Sequence, residues 1–374
     1  MSEITQKPKD YQFRAKLPLI LRGAAIAAMS VTILVIGIGF YWGSFRSEFR
    51  MKGLPTSLSK NVVGEVKGYQ RRESENGTAK YFIKADKAVT FSDDHQELEN
   101  IYLELFKDGD VNISDKISSE KAIYVPAGDG SKDFKIFFAG DVNIATHDAL
   151  KVKTDQLTYN KATEIADAEE FIEFSRNNIS GESYGGIVNI GQKTLDLLKD
   201  VKISAFSNGA GDDELTKAKV ERAKINSQRA FIDQTAEKIK LDGEVQISLT
   251  PKSGSGGNLK QPTDINSDHA TAYFVEKEIR KIDLQGNVLV HQKPTSAISN
   301  WTKLRSNRAI ATVNADLEKL ELYENVVIQS RTKNPEPTEI RSGNAIYYRR
   351  ADTFELGGNV EIVSIEKSKK TRVT

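Results

Sequence analysis

Between Lys281 and Val290 the chain reads Lys-Ile-Asp-Leu-Gln-Gly-Asn-Val-Leu-Val. Apolar residues stand at Ile282, Leu284, Val288 and Val290, and Gly286 occupies the slot between them. Strict alternation of this kind makes a strand with one apolar and one wet face. The line recurs as Ile239, Leu241, Gly243, Val245, Ile247, as Leu320, Leu322, Glu324, Val326, Ile328, and as Phe354, Leu356, Gly358, Val360, Ile362. Upstream copies are Ile136, Phe138, Gly140, Val142, Ile144 and Leu195, Leu197, Lys199, Val201, Ile203. Ile101, Leu103, Leu105 is a weaker copy, and Ala166, Ala168, Ile172, Phe174 a degraded one. Copies return at irregular intervals of roughly 30–45 residues, the range of repeat architectures.

Most copies follow a shorter phrase in which a Ser precedes an Ala by three residues: Ser119…Ala122, Ser267…Ala270, Ser306…Ala309, Ser342…Ala345. Each unit therefore reads as a short strand, a turn and a longer strand. Such a unit cannot bury its apolar face alone, whereas stacked units share one core. The expected class is all-β, built from stacked antiparallel strands.

Composition removes several function classes. The 53 basic and 52 acidic residues nearly cancel, so bulk charge draws the chain to no nucleic acid. With no cysteine there is no zinc finger, disulfide scaffold or catalytic thiol. The four histidines, His95, His147, His269 and His291, have no metal-ligand spacing, so neither a metal nor a cofactor is expected.

Residues 1–16 form a polar tail, expected to be cytoplasmic. Within 17–44, Gly23–Trp42 holds 20 residues without a charge, enough to cross about 30 Å of hydrocarbon as a helix. Gly23, Ile33, Leu34 and Trp42 mark its start, middle and end. A cleaved signal peptide has a shorter apolar core and small residues where Tyr41-Trp42 stand, and a buried helix is rarely so evenly apolar. An uncleaved anchor is therefore expected, cytoplasmic at its N-terminus because basic residues lead there. A linker follows over 45–61. The body divides into a first β-roll at 62–206, a loop or linker at 207–216, further repeats at 217–366, and a tail at 367–374. Glu214–Arg229 admits a helical alternative, with charges alternating with Leu215, Ala218 and Ala223.

Chemistry-bearing constellations are sparse. Asp141, Glu244, Asn287, Asn325 and Asn359 stand between inward apolar residues, which places them on the outer face, and the glycines beside them mark either a bulge or a close approach between stacked strands. Adjacent carboxylates such as Asp93-Asp94 and Glu169-Glu170 point to opposite faces of a strand and make no acid/base couple. The Gly- and Ser-rich stretch Pro251–Asp264 lacks the Gly-Lys-Ser/Thr of a phosphate loop. The chain is therefore read as a non-enzyme.

The repeat itself suggests a function. If two alternating faces close incompletely, an apolar groove runs along the stack, and hydrocarbon buried there gains about 0.8 kcal/mol per methylene. The candidate groove residues are Phe138, Val142, Ile144, Leu197, Val201, Ile203, Leu284 and Val288. The open ends expose strand edges suited to β-augmentation.

A lone basic-flanked anchor followed by repeated Leu-x-Gly-Asn-Val strands, clearest at Leu284–Val290 and Leu356–Ile362, resembles the LptC family, with repeats of the LptA/OstA-like type. The resemblance covers the anchor and most of Val62–Ser364. It implies one or two consecutive periplasmic β-jellyrolls with a V-shaped groove, on a single-pass inner-membrane protein. It further implies that lipopolysaccharide arrives from an ATP-driven inner-membrane ABC transporter (LptB/LptF/LptG-like) and passes to a periplasmic LptA-like bridge protein. The body is longer than one compact roll of this family needs. Two alternatives stand beside this reading: a membrane-anchored structural or adaptor protein of the envelope without lipid cargo, and a polysaccharide-active β-helix enzyme.

Overall fold

The computed structural model describes residues 58–373 apart from 108–109, 129–132, 148, 208–219, 253–260, 276–277, 297, 314–316, 332–335, 349–350, 352 and 367–368. All of this lies in the second of the chain's two units, Ser57–Thr374. The predicted anchor Gly23–Trp42, with Gly23, Ile33, Leu34 and Trp42, lies outside the described residues. So does most of the predicted loop at 207–216. Among the described residues no helix is long and apolar enough to cross a membrane.

The strands are β1 (Val62–Glu75), β2 (Thr78–Phe91), β3 (Gln96–Lys107), β4 (Asp110–Pro126), β5 (Phe134–Ala145), β6 (Lys151–Asn160) and β7 (Ile165–Arg176). Then come β8 (Ile179–Asn189), β9 (Thr194–Leu197), β10 (Val201–Phe206), β11 (Val220–Ser227), β12 (Arg229–Asp233), β13 (Lys238–Pro251) and β14 (Thr263–Val275). The last are β15 (Glu278–Gln292), β16 (Trp301–Val313), β17 (Leu317–Arg331), β18 (Thr338–Tyr348), β19 (Thr353–Gly357), β20 (Glu361–Glu366) and β21 (Lys369–Val373).

Every pairing is antiparallel, and the strands lie in chain order once an interrupted strand is counted as one line. From β1 to β8 each strand pairs with the next. Strand β8 then pairs with β10 through one half and β9 through the other, so β9 and β10 are one line interrupted at Leu198–Asp200. In the same way β11 and β12 flank Gln228 and lie together along β13, and β19 and β20 flank Gly358 and lie along β18. The result is one meander, continuous through the β10–β11 pair. Short connections suffice for this topology. Asn76 (φ 50°) and Gly77 (φ 77°) join β1 to β2 as a two-residue turn with both residues left-handed, the geometry whose twist matches the flanking strands.

Two expectations are corrected. The Ser…Ala phrases lie in strands about as long as their partners, not in short ones: β14 has 13 residues against 15 in β15. The helical alternative fails over its described part, where Val220–Ser227 is β11. Its apolar spacing is misleading because a register shift between Val220 and Arg222 resets the alternation. Val220, Ala223 and Ser227 are thereby buried on one strand.

A line of bulges crosses the sheet at one register. Gly140–Asp141 faces Asp155 alone, Gly243–Glu244 faces Asp268, Gly286–Asn287 faces Asn307, and Glu324–Asn325 faces Gly343. All eight of these bulge residues have positive φ, from 44° at Asp141 to 77° at Gly140. One extra residue bends its strand and sharpens the twist. Because the extra residues align from strand to strand, the sheet bends along a continuous crease, with the apolar face inside the bend.

Two hydrophobic clusters occupy that inner face. The first runs from Tyr81 to Ile172 and includes Tyr124, Phe134, Phe138 and Tyr159. The second runs from Leu197 to Ala345 and is made of Leu, Val, Ile and Ala, with no aromatic side chain among its buried members.

Candidate functional site

The inner face is graded by depth about the crease. In β15, Leu284 and Val288 flank the bulge and are buried, while Ile282 and Val290, one step further out, are half-buried. In β13, Leu241 and Val245 are buried and Ile239 and Ile247 half-buried. The same order holds for Leu320 and Leu322 in β17. A strand places alternate residues on one face, and the bulge keeps Leu284 and Val288 on the same face across the bend. The β13 and β15 repeats and the β9–β10 line therefore contribute two deep and two shallow apolar side chains each to a trough, while β5 and β17 bury a third, Ile136 and Ile328.

The predicted groove residues all fall on this inner face, in two groups. Phe138 and Val142 are buried in the first cluster, with Ile144 half-buried against it. Leu197, Val201, Leu284 and Val288 are buried in the second, with Ile203 half-buried beside them. Phe354, which begins the last copy, is 44% exposed and stacks on Tyr347 with ring centroids 4.7 Å apart, at the rim and not in the depth.

The two clusters are filled differently. Phe134 stands 5.0 Å from Tyr81, 5.1 Å from Tyr124 and 6.3 Å from Tyr159, ring centre to ring centre, and plugs the end of the first. Burial pushes the hydroxyls of Tyr81 and Tyr159 up from the ordinary tyrosine range, so both stay neutral. Arg71 caps this end, with its guanidinium carbon 5.6 Å from the Tyr124 ring centre. The second cluster has only Phe174, partly buried, as an aromatic neighbour. Half-buried Ile225, Ile239, Ile265, Ile282, Leu320 and Ile340 line it and leave the trough partly open.

Hydroxyls close the crease. Ser119 Oγ donates to the Lys121 carbonyl at 2.7 Å, Ser183 to that of Gly185 at 2.9 Å, Ser227 to that of Arg229 at 3.1 Å, and Ser306 to that of Arg308 at 2.9 Å. Each hydroxyl is thereby satisfied by a carbonyl two residues on, and at Gly185 the same carbonyl also accepts the Leu198 N–H at 3.1 Å. Ser267 and Ser342 occupy equivalent places, and among the described residues their buried Oγ atoms have no hydrogen-bond partner. The Ser…Ala phrase is visible in the sequence, but its role is not, because the acceptor is a main-chain carbonyl two residues on, brought within reach by the local backbone geometry.

On the outer face the bulge residues Asp141, Glu244, Asn287, Asn325 and Asn359 are exposed, as their place in the pattern predicts. Charge there is paired across strands. Arg308 grips buried Asp283 with two bonds, Nε–Oδ1 at 3.0 Å and NH2–Oδ2 at 2.6 Å. Donation from that guanidinium holds the Asp283 carboxyl below the usual carboxylate range. Among the described residues no group of three or more His, Asp or Glu could hold a metal ion. What the inner face offers is undirected apolar surface, suited to hydrocarbon.

Residues 31–205 match the family described as lipopolysaccharide-assembly, LptC-related. That span takes in the latter part of the apolar run and reaches the end of β10; the repeats continue beyond it. No curated protein matches the chain. Among solved structures, the chain is similar to the crystal structure of LptH, the LptA homologous periplasmic component of the conserved lipopolysaccharide transport device from Pseudomonas aeruginosa. The two are 12% identical, with a TM-score of 0.29, over 41% of this chain and 94% of that one.

Proposed function

From the premise that residues 31–205 carry the LptC-related pattern, we propose that this chain is a non-enzymatic component of lipopolysaccharide export in the cell envelope. Its creased trough holds the acyl chains of the lipid. One observation carries the reading: the buried members of the second cluster are all aliphatic, and the side chains packed against it, Phe174 among them, are only partly buried. Each methylene moved there from water gains about 0.8 kcal/mol, so a lipid with several chains needs no directional contact to be held. In the first cluster the inner face is filled, and a lipid reaches Phe138 and Val142 only when the two sides of the crease part.

In this reading Gly23–Trp42 anchors the chain in the inner membrane, with the N-terminus cytoplasmic and the body periplasmic. Lipopolysaccharide arrives from an ABC transporter of the LptB/LptF/LptG type. Residues 62–206 act as the first roll, and 217–366 extend the trough toward an LptA-like bridge protein. Docking uses the free strand edges. Among the described residues β1 pairs only with β2, and it exposes Val62, Val63 and Val66.

The test is site-specific photo-crosslinking in cells that export lipopolysaccharide. A benzophenone side chain at Ile282 or Val288 is expected to capture the lipid, and one at outward Asn287 to capture little. Equal capture at Asn287 removes the trough from the mechanism. The filled first cluster favours a second reading, an envelope adaptor that docks proteins and carries no lipid. It predicts that native mass spectrometry of the gently extracted chain finds no bound lipid.

A further inference from the structure

The sheet face opposite the core carries a recess between β3 and β6. A cavity of about 300 Å³ is lined there by Tyr102, Lys116, Ser118, Asn143, Lys151 and Lys153, together with Ile117, Ile144, Ala145 and Val152. Ile117, Val142 and Thr154 are buried on the inner face. Alternation therefore turns Lys116, Ser118, Asn143, Ala145, Lys151 and Lys153 outward. Strand register arranges these outward residues in two adjacent rows. One runs Tyr102, Ser118, Asn143, Lys153, and the other Lys116, Ala145, Lys151. Small side chains occupy the middle, with Tyr102 and three lysines around them.

The spacing suits a single ligand. Lys151 and Lys153 are two residues apart on one strand, about 6.6 Å, and Lys116 lies two strands from Lys151, about 9.6 Å. Flexible four-carbon stems let all three ammonium groups reach one point between them. They are also available. Among the described residues neither Lys151 nor Lys153 forms an ion pair, although Glu173 stands across from Lys153 in the register. Lys116 has only a long contact to Glu104 Oε1 at 3.9 Å, and that oxygen already accepts from Ser114 at 2.5 Å. Three like charges around one partly enclosed recess repel each other, and a bound anion relieves that repulsion.

We propose that this recess binds a phosphate ester of a sugar or polyol, either free or as the head of a lipid. Lysines serve as point charges for phosphate, and the recess has no arginine fork of the kind that matches a carboxylate. Its volume lies at the lower end of small-molecule pockets, more than a bare phosphate fills. Ser118, Asn143 and Tyr102 supply the donors and acceptors that ring hydroxyls require. The site is on the other side of the sheet from the apolar trough and does not depend on the trough carrying lipid.

The test is calorimetric titration of the full chain in neutral detergent with glucose 1-phosphate. Saturable binding is expected, and it weakens as salt is added. Lys151→Ala with Lys153→Ala weakens it about tenfold or more, through the loss of two charge-assisted contacts. Lys240→Ala, on an exposed position of β13, leaves it unchanged. Circular dichroism checks that the double variant folds. Short-chain dihexanoyl phosphatidic acid, kept below its micellar concentration, separates the sources: equal affinity means that the head alone is read, and tighter binding means a lipid. The proposal is overturned if neither phosphate ligand saturates, if the double variant binds as the parent does, or if unphosphorylated glucose binds equally well.

Discussion

Gly286 shows what one residue controls in this chain. Its φ is 75°, and a side chain there would run into Asp268 on β14. Gly286→Val is therefore expected to cost at least 1–2 kcal/mol, roughly the left-handed penalty, seen as a lower urea midpoint. Glu324 occupies the equivalent bulge position with φ 62° and is exposed. Glu324→Gly is expected to stabilise by up to about 1 kcal/mol, seen as a higher midpoint, even though it removes the 3.1 Å bond from Asn307. A midpoint unchanged in both variants would mean that the crease is not under this backbone constraint. Asp283 gives a pH-dependent case. Its folded pKa is lowered, so its contribution is present above the unfolded carboxylate value, about 3.9, and fades as pH falls through the folded value. Arg308→Gln leaves a buried carboxylate without its guanidinium and is expected to lose about 1–3 kcal/mol at pH 7. Urea titrations of variant and parent should show that deficit shrinking below about pH 4.

At the scale of the element, the strands were legible because alternation is a local property. Ile282, Leu284, Val288 and Val290 declare a strand without help from the rest of the chain, and so do the copies at Ile239 and Leu320. The segment Val220–Ser227 was less legible, since a bulge gives a strand a spacing that resembles a helix, and pairing with β10 and β13 decides the matter. The edges raise a different question. Among the described residues strand β1 offers a row of backbone groups with no strand on one side, beside exposed valines. Lysines on such an edge disfavour strand addition. Val63→Lys with Val66→Lys is therefore expected to reduce cross-linking of this edge to any partner chain while leaving the circular dichroism spectrum unchanged. Undiminished cross-linking would place docking elsewhere.

For the whole described unit, the contrast between the two clusters predicts uneven stability along one continuous sheet. Aromatic packing fills the first, while half-buried aliphatic walls leave the second more accessible to water. Amides that open locally exchange fastest where few apolar groups shield them. Hydrogen exchange is thus expected to be slower in β4 and β5 than in β15–β17, and equal protection would contradict the difference in filling. The repeated Leu-x-Gly-x-Val line was enough to determine an all-β chain and the outward side of the bulge residues Asp141, Glu244, Asn287, Asn325 and Asn359, and together with the apolar run before it, it carried the likeness to the LptC family. Those are consequences of a period of two and of a motif, both readable one segment at a time. The alignment of bulges into a crease, the hydroxyls that close it, the plugging of one cluster but not the other, and the gathering of Lys116, Lys151 and Lys153 at one recess were decided only by the tertiary structure. Each depends on which residue of one strand stands opposite which residue of the next, and that register is set by packing of the whole sheet.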